Sequence, residues 1–115
     1  MIELNISERQ ANDITILDLS GDVTFSQGSA VLRSAIRCLL SEDKKKILLN
    51  FSGICFVDSS GLGELVSDLI AINREDSQLK LLNLKQRIRE LLTITKLSTI
   101  FEIFENERDA LDSYS

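Results

Sequence analysis

The 115-residue chain contains no histidine, no proline and only two cysteines. Each absence removes a class of chemistry. A serine hydrolase needs a base to take the hydroxyl proton, and the usual one is missing; Lys96 is of a type that can substitute, but nothing in the sequence places it beside a serine. The Gly-x-Ser-x-Gly elbow is absent too, because Val57 and Asp58 stand two residues before Ser59 and Ser60. Neither Gly-x-x-x-x-Gly-Lys-Ser/Thr nor Gly-x-Gly-x-x-Gly occurs, so nucleotide binding has no motif. Cys38 and Cys55 lack Cys-x-x-Cys spacing and read as small buried hydrophobes; without histidine they complete no common zinc ligand set. Neither a metal nor a cofactor is expected. With no proline, the turns must rest on Gly, Asn, Asp and Ser.

Long apolar runs are missing as well. Nowhere do about eighteen apolar residues follow one another, and no basic segment leads into an apolar core near the N-terminus, so neither a membrane span nor a signal peptide is expected and the location reads as cytoplasmic. The formal charge of −5 opposes attraction to nucleic acid and to anionic lipid, which are therefore not expected as partners. Lys44-Lys45-Lys46 reads as a solvated turn before a strand, or as a helper contact for an acidic partner. The length suits one domain over residues 1–115, large enough to bury most of its apolar surface without disulfides. No internal repeat or low-complexity segment intrudes.

What is present is a regular alternation of strand and helix patterns. Ile2, Leu4 and Ile6 alternate with polar residues, Gln10 to Asp13 break the pattern, and Ile14, Ile16 and further apolar residues continue to Leu19, so a β-pair is expected with Ser20-Gly21-Asp22 closing it. Val31, Leu32, Ala35, Ile36, Leu39 and Leu40 then repeat with helical spacing, Arg33 and Arg37 falling off the stripe. Ser26 is the expected N-cap of that helix and Phe25 a hydrophobic staple. Ile47 to Phe51 is a continuous apolar run, the pattern of a central strand covered on both faces. Leu79 to Leu82 supplies another strand, Asn83 with Gln86 a helix start ahead of Ile88, Leu91 and Leu92, Ile100 to Phe104 a last strand, and Asn106 a short closing helix. The fold class is α/β: a mostly parallel sheet of four to five strands with an initial antiparallel pair and about four helices.

Phe56-Val57-Asp58-Ser59-Ser60-Gly61-Leu62-Gly63-Glu64-Leu65 organises the rest. An apolar strand end runs into Asp-Ser-Ser-Gly, and Leu62, Leu65, Val66, Leu69 and Ile70 follow at the spacing of one buried helix face. Asp58, Ser59 and Ser60 are all capping types, while Gly61 and Gly63 permit close approach to the backbone. A helix N-terminus carries unpaired N–H groups and about half a unit of positive charge, so a phosphate on one of these serines would be stabilised. The bland reading is a helix cap with no function. Ligand and partner sites in open α/β sheets collect at the carboxyl ends of strands, where both Ser20 to Ser26 and Asp58 to Gly63 fall, and the two loops are expected as neighbours. The first loop is then either one wall of the site or a plain strand end with its cap.

Asp58-Ser59-Ser60-Gly61-Leu62-Gly63, with the Leu-Ser-Gly-Asp of residues 19 to 22, resembles the signature of bacterial anti-sigma factor antagonists, the partner-switching members of the STAS domain family. The resemblance spans nearly the whole chain. It implies a non-catalytic switch whose phosphate acceptor is Ser59, with Ser60 as second candidate. The implied partners are an anti-sigma factor serine kinase, which binds the unphosphorylated form and so frees a sigma factor, and a serine phosphatase that resets it. The candidate contact surface comprises Asp22, Thr24, Phe25, Asp58, Ser60, Gly61, Leu62, Gly63 and Glu64. Asp58 reads as a cap or an anchor for Ser59, since the kinase supplies the base. Three positions depart from the family pattern: Thr24 replaces an aspartate, Glu64 an apolar or small residue on the face toward a partner, and Lys96 a glycine, with a longer helix or shifted cap as the expected result. The alternative role is a structural STAS subunit of a larger assembly, such as a lipid-transport ATPase or a stress-signalling scaffold.

Overall fold

Ile47, Leu48 and Leu49 are all fully buried because their strand is covered on both faces. The structure, a computed structural model, describes residues 2–25 and 27–114. Five strands lie in the order β1-β2-β3-β4-β5: β1 Asn5–Ala11, β2 Ile14–Val23, β3 Lys46–Val57, β4 Gln78–Leu82 and β5 Ile103–Phe104. β1 pairs antiparallel with β2, and every later pair is parallel. Between them run α1 Gly28–Ser41, α2 Ser59–Arg74 and α3 Gln86–Ile94, and α4 Glu107–Asp112 closes the chain. This is the α/β fold expected, a single sheet with one antiparallel pair at its edge.

Strand alternation sorts the core into two layers. Ile47, Leu49 and Phe51 join Leu32, Ile36, Leu65 and Leu92 beneath α1 to α3. Leu48, Ile14, Ile16 and Leu82 point the other way and meet Ala110 of α4. Right-handed crossovers that keep advancing across a sheet place their helices on one face, which leaves the short α4 to cover the other. Among the described residues, no helix is long and apolar enough to cross a membrane.

The differences from expectation have local causes. β1 starts only at Asn5, and Ile2 is exposed. Ser20-Gly21-Asp22 does not end β2, which continues to Val23 through two irregularities of register. Ser26 lies outside the described residues; α1 begins at Gly28 with Gln27 at its N-cap, which makes no side-chain cap bond and instead accepts from Leu4 N–H at 3.0 Å. Phe25 is no staple, since it is 82% exposed. Cys38 and Cys55 are exposed rather than buried, because the buried positions around them are taken by Ile36 and Leu39 on α1 and by Ile54 and Val57 on β3. Ile72, not Ile70, completes the buried stripe of α2. Asn83 does not cap α3: it sits at φ 57°, and Lys85 holds the N-cap position. Ile100 follows a 3-10 turn, Leu97–Thr99, so the last strand shrinks to Ile103–Phe104. α3 ends at Ile94 with Thr95 at its C-cap, and Lys96 after it takes the left-handed conformation at φ 63° that glycine usually supplies.

Gly21 is the one glycine in the left-handed region, at φ 107°, and a Cβ there would lie 2.1 Å from the Glu3 carbonyl oxygen. Backbone strain of this kind costs about 1–3 kcal/mol before the clash is relieved. Gly21→Ala is expected to lower the melting temperature by about 5–15 °C, read by thermal denaturation. An unchanged melting curve would contradict this register of β2 against the N-terminal segment.

Candidate functional site

The chain leaves β3 at Val57 and enters α2 at Ser59, with Asp58 between them in an extended conformation at φ −94° and ψ −176°. Asp58 is bonded through every polar group it has. Its Oδ1 accepts from Gly61 N–H at 2.8 Å, and its main-chain oxygen from Leu62 N–H at 3.0 Å. Its Oδ2 accepts from Phe25 N–H at 3.1 Å, and its own N–H donates to the Val23 carbonyl at 3.3 Å. One carboxylate thus caps α2 and holds the loop that follows β2. The ends of β2 and β3 are neighbours, as expected, and Val23 pairs with Val57. Gly61 is required by this closeness, since a Cβ there would lie 2.2 Å from the Val23 carbonyl oxygen.

Ser59 occupies the first position of α2 and is exposed, while Ser60 is half-buried. Among the described residues neither hydroxyl is engaged, and neither N–H has a partner. The first turn of α2 carries no acidic residue. Asp58 cannot serve Ser59 as a base without surrendering its backbone donors, so the local chemistry is that of a cap beside a free hydroxyl.

The candidate contact residues divide by exposure. Phe25 and Gly63 are open to solvent, and nothing lies within 4 Å of the Cβ position of Gly63. Gly61, Leu62 and Thr24 are buried. Asp22 is buried too; its Oδ2 accepts from Ile2 N–H at 3.0 Å, so it ties down the N-terminal segment. Glu64, expected to face a partner, points inward: its side chain is 3% exposed and pairs with Arg33 of α1 at 2.8 Å. The reason is its place on α2, one turn before Asp68 on the face that packs against α1.

The STAS domain model matches residues 5–110. The chain belongs to the STAS domain family. It is 24% identical over 110 residues to the anti-sigma F factor antagonist of Paenibacillus polymyxa, covering 96% of this chain and 94% of that protein. It is 30% identical over 74 residues to the anti-sigma-B factor antagonist of Staphylococcus aureus, covering 64% of this chain and 68% of that one. The crystal structure of an anti-sigma factor antagonist from Mycobacterium paratuberculosis superposes with a TM-score of 0.85 at 17% identity, over 96% of this chain and 93% of that one.

This STAS domain carries a second polar cluster that the sequence reading missed. Asp68 is fully buried one helical turn from Glu64, with Arg33 and Arg37 as the nearest positive charges. Two ionised carboxylates can only accept, and then Glu64 Oε2 and both Asp68 oxygens are left without donors. A proton on Asp68 turns the contact into an O–H···O bond. Burial first, then the hydrogen bond and the charge of Glu64, push the Asp68 carboxyl up to about 9, against the pull of Arg37 and Arg33. The available signal was the pair of acids four apart on one helix, which repel unless something neutralises one of them, facing two arginines four apart on another.

Below about pH 4 the Asp68 carboxyl is protonated in both states; above that the unfolded chain loses the proton while the folded one keeps it, so stability falls toward pH 9 by up to ~1.4 kcal/mol per pH unit. Asp68→Asn keeps the shape and a donor toward Glu64 but cannot titrate. Its melting temperature is expected to exceed that of the wild type by a margin that grows from pH 5 to pH 8, and a constant margin in thermal melts across that range would contradict a protonated Asp68.

Proposed function

We propose that this protein is a phosphorylation-switched anti-sigma factor antagonist: unphosphorylated at Ser59 it binds an anti-sigma factor serine kinase and frees a sigma factor, and a serine phosphatase reverses the modification. It works in the cytoplasm through protein partners, with no catalysis, cofactor, nucleic acid or membrane of its own. The observation that carries this reading is the exposed, unengaged Ser59 hydroxyl at the start of α2, beside two N–H groups without partners and an Asp58 already committed to its own donors. The anti-sigma antagonist names of the relatives support the partner class.

Magnitudes separate the effect on the fold from the effect on binding. A dianion at a helix N-terminus gains about 0.3–2 kcal/mol from the dipole and free N–H groups, which offsets repulsion from Asp58. Releasing a partner one hundredfold requires a loss of about 2.7 kcal/mol, and a dianion buried against a surface shaped for a neutral hydroxyl supplies that through desolvation. The kinase is to be recovered by affinity capture on the unphosphorylated protein, with phosphopeptide mapping of the bait. Ser60→Ala should be modified to the wild-type extent and Ser59→Ala should not. By calorimetry, Ser59→Asp should bind the kinase about tenfold or more weakly with its melting curve unchanged, whereas Ser59→Ala binds normally and is not released by ATP. Modification of Ser59→Ala at the wild-type level would refute Ser59 as acceptor. Equal kinase affinity for unphosphorylated and phosphorylated wild type would refute the switch and leave the structural-subunit role.

A further inference from the structure

β3 is longer than its neighbour β4, and the mismatch leaves an open edge. β4 pairs with β3 only from Lys46 to Asn50, whereas β2 accompanies β3 as far as Val57. Beyond Asn50, the side of β3 that faces away from β2 has no strand neighbour among the described residues. The Ser52 N–H is answered by the Asn50 side chain at 3.1 Å, a local substitute for a ladder bond. An unpaired strand edge is a template for another extended chain. A groove of about 250 Å³ runs along this edge, walled by Cys55, Phe56 and Val57 on β3 and by Arg87, Ile88 and Leu91 on α3. Its interior is apolar, with Val57 and Ile88 buried and Phe56 51% exposed at the rim. Arg87 forms no ion pair among the described residues, and neither does Lys85 at the N-cap of α3, although the chain as a whole is acidic. The groove ends at Val57, one residue before Asp58 and two before Ser59.

We infer that the partner which reads Ser59 adds an extended, acidic segment to the open edge of β3, seating an aliphatic side chain in the groove against Phe56 and Ile88 and a carboxylate on Arg87. This rests on the partner-switching role of Ser59. Main-chain bonds to a strand edge give affinity with little sequence demand, and pockets for alternate side chains give selectivity. The aliphatic pocket and the unpaired arginine supply that selectivity here, and they reject a basic or highly polar segment. Phosphorylation and groove then act on adjoining parts of one interface: the groove chooses the partner, and Ser59 sets whether it stays.

Two measurements test this, one without any partner. In a Cys38→Ser background, Cys55 is equilibrated with two small disulfide reagents that match except for their ends, one a butyrate and one a propylamine, and the reductant needed to displace each is titrated. The butyrate adduct should resist about fivefold more reductant at low salt, the ratio expected when a surface charge pair of ~1 kcal/mol separates the two. Arg87→Gln should bring the two reagents level. Equal retention in the parent protein overturns the inference whatever happens at Ser59. In the second measurement, amide exchange is followed in Ser59→Ala with and without the captured kinase. Slowing across Ser52–Val57, with about tenfold weaker kinase binding by Arg87→Glu, supports the inference. Protection confined to residues 22–25 and 58–64, with unchanged binding by Arg87→Glu, overturns it while leaving the Ser59 switch intact. Failure of the kinase to modify Ser59 refutes the switch, and the reagent titration still decides the groove.

Discussion

Everything at the carboxyl edge of this sheet depends on how the Asp58 carboxylate is shared. One oxygen satisfies Gly61 N–H inside α2 and the other satisfies Phe25 N–H in a loop thirty-three residues earlier. Hydrogen bonds to a charged acceptor are stronger than neutral ones, and this pair ties the start of α2 to the loop that follows β2. The fixed quantity is an orientation. With Gly61 against Val23 and Leu62 in the core, α2 cannot rotate about its axis, and the first residue of the helix is held outward. That residue is Ser59. Phe25 is presented on the same edge by its backbone bond alone, with its ring free for contact.

The other constraint is the inequality of strand lengths. β3 has twelve residues and β4 five, so the sheet is complete at one end and stepped at the other. The step puts Cys55 and Phe56 at the surface on the same strand whose Ile47, Leu48 and Leu49 are wholly enclosed. A strand that served only the core would stop where its neighbour stops. Extension past that point carries Val57 to its pairing with Val23, and the pairing brings Asp58 within reach of Phe25. The exposed edge and the Asp58 turn bonded to Phe25 are consequences of one length.

Period and composition made most of the fold legible. The continuous run at Ile47 to Phe51, the helical stripe of α1 and the cap before Ser59 all turn on nearest neighbours along the chain, and all three were found as expected. Errors gathered where long-range packing overrides a local rule. Asn83 and Gln86 form a capping pattern, yet Asn83 is held left-handed beside Asn50, with its amide donating at 3.4 Å, so the helix waits for Lys85. Cysteine is on average a buried residue, but Cys38 and Cys55 stand on the outward side of their elements. The Asp58 cap and the exposed serine after it were legible because they form one short motif. Glu64 was not, since whether a helix residue faces a partner or a neighbouring helix depends on where α1 lies, and no local pattern encodes that.

The buried acid pair bears on how α2, a tightly packed helix, could also carry a phosphate in the role proposed for Ser59. Like charges four apart on one helix repel, and a further dianion at its start would add to the strain if Glu64 and Asp68 were both ionised. A proton on Asp68 and the Arg33 guanidinium on Glu64 remove that charge from the α1–α2 interface. The first turn of α2 itself carries no acid, and the Asp58 carboxylate that caps it is engaged by two N–H groups. The positive end of α2 is therefore met by about one negative charge, already hydrogen-bonded, and not by three. Under that condition a phosphate on Ser59 is accommodated by the fold, and its repulsion is directed outward, at whatever surface closes over it.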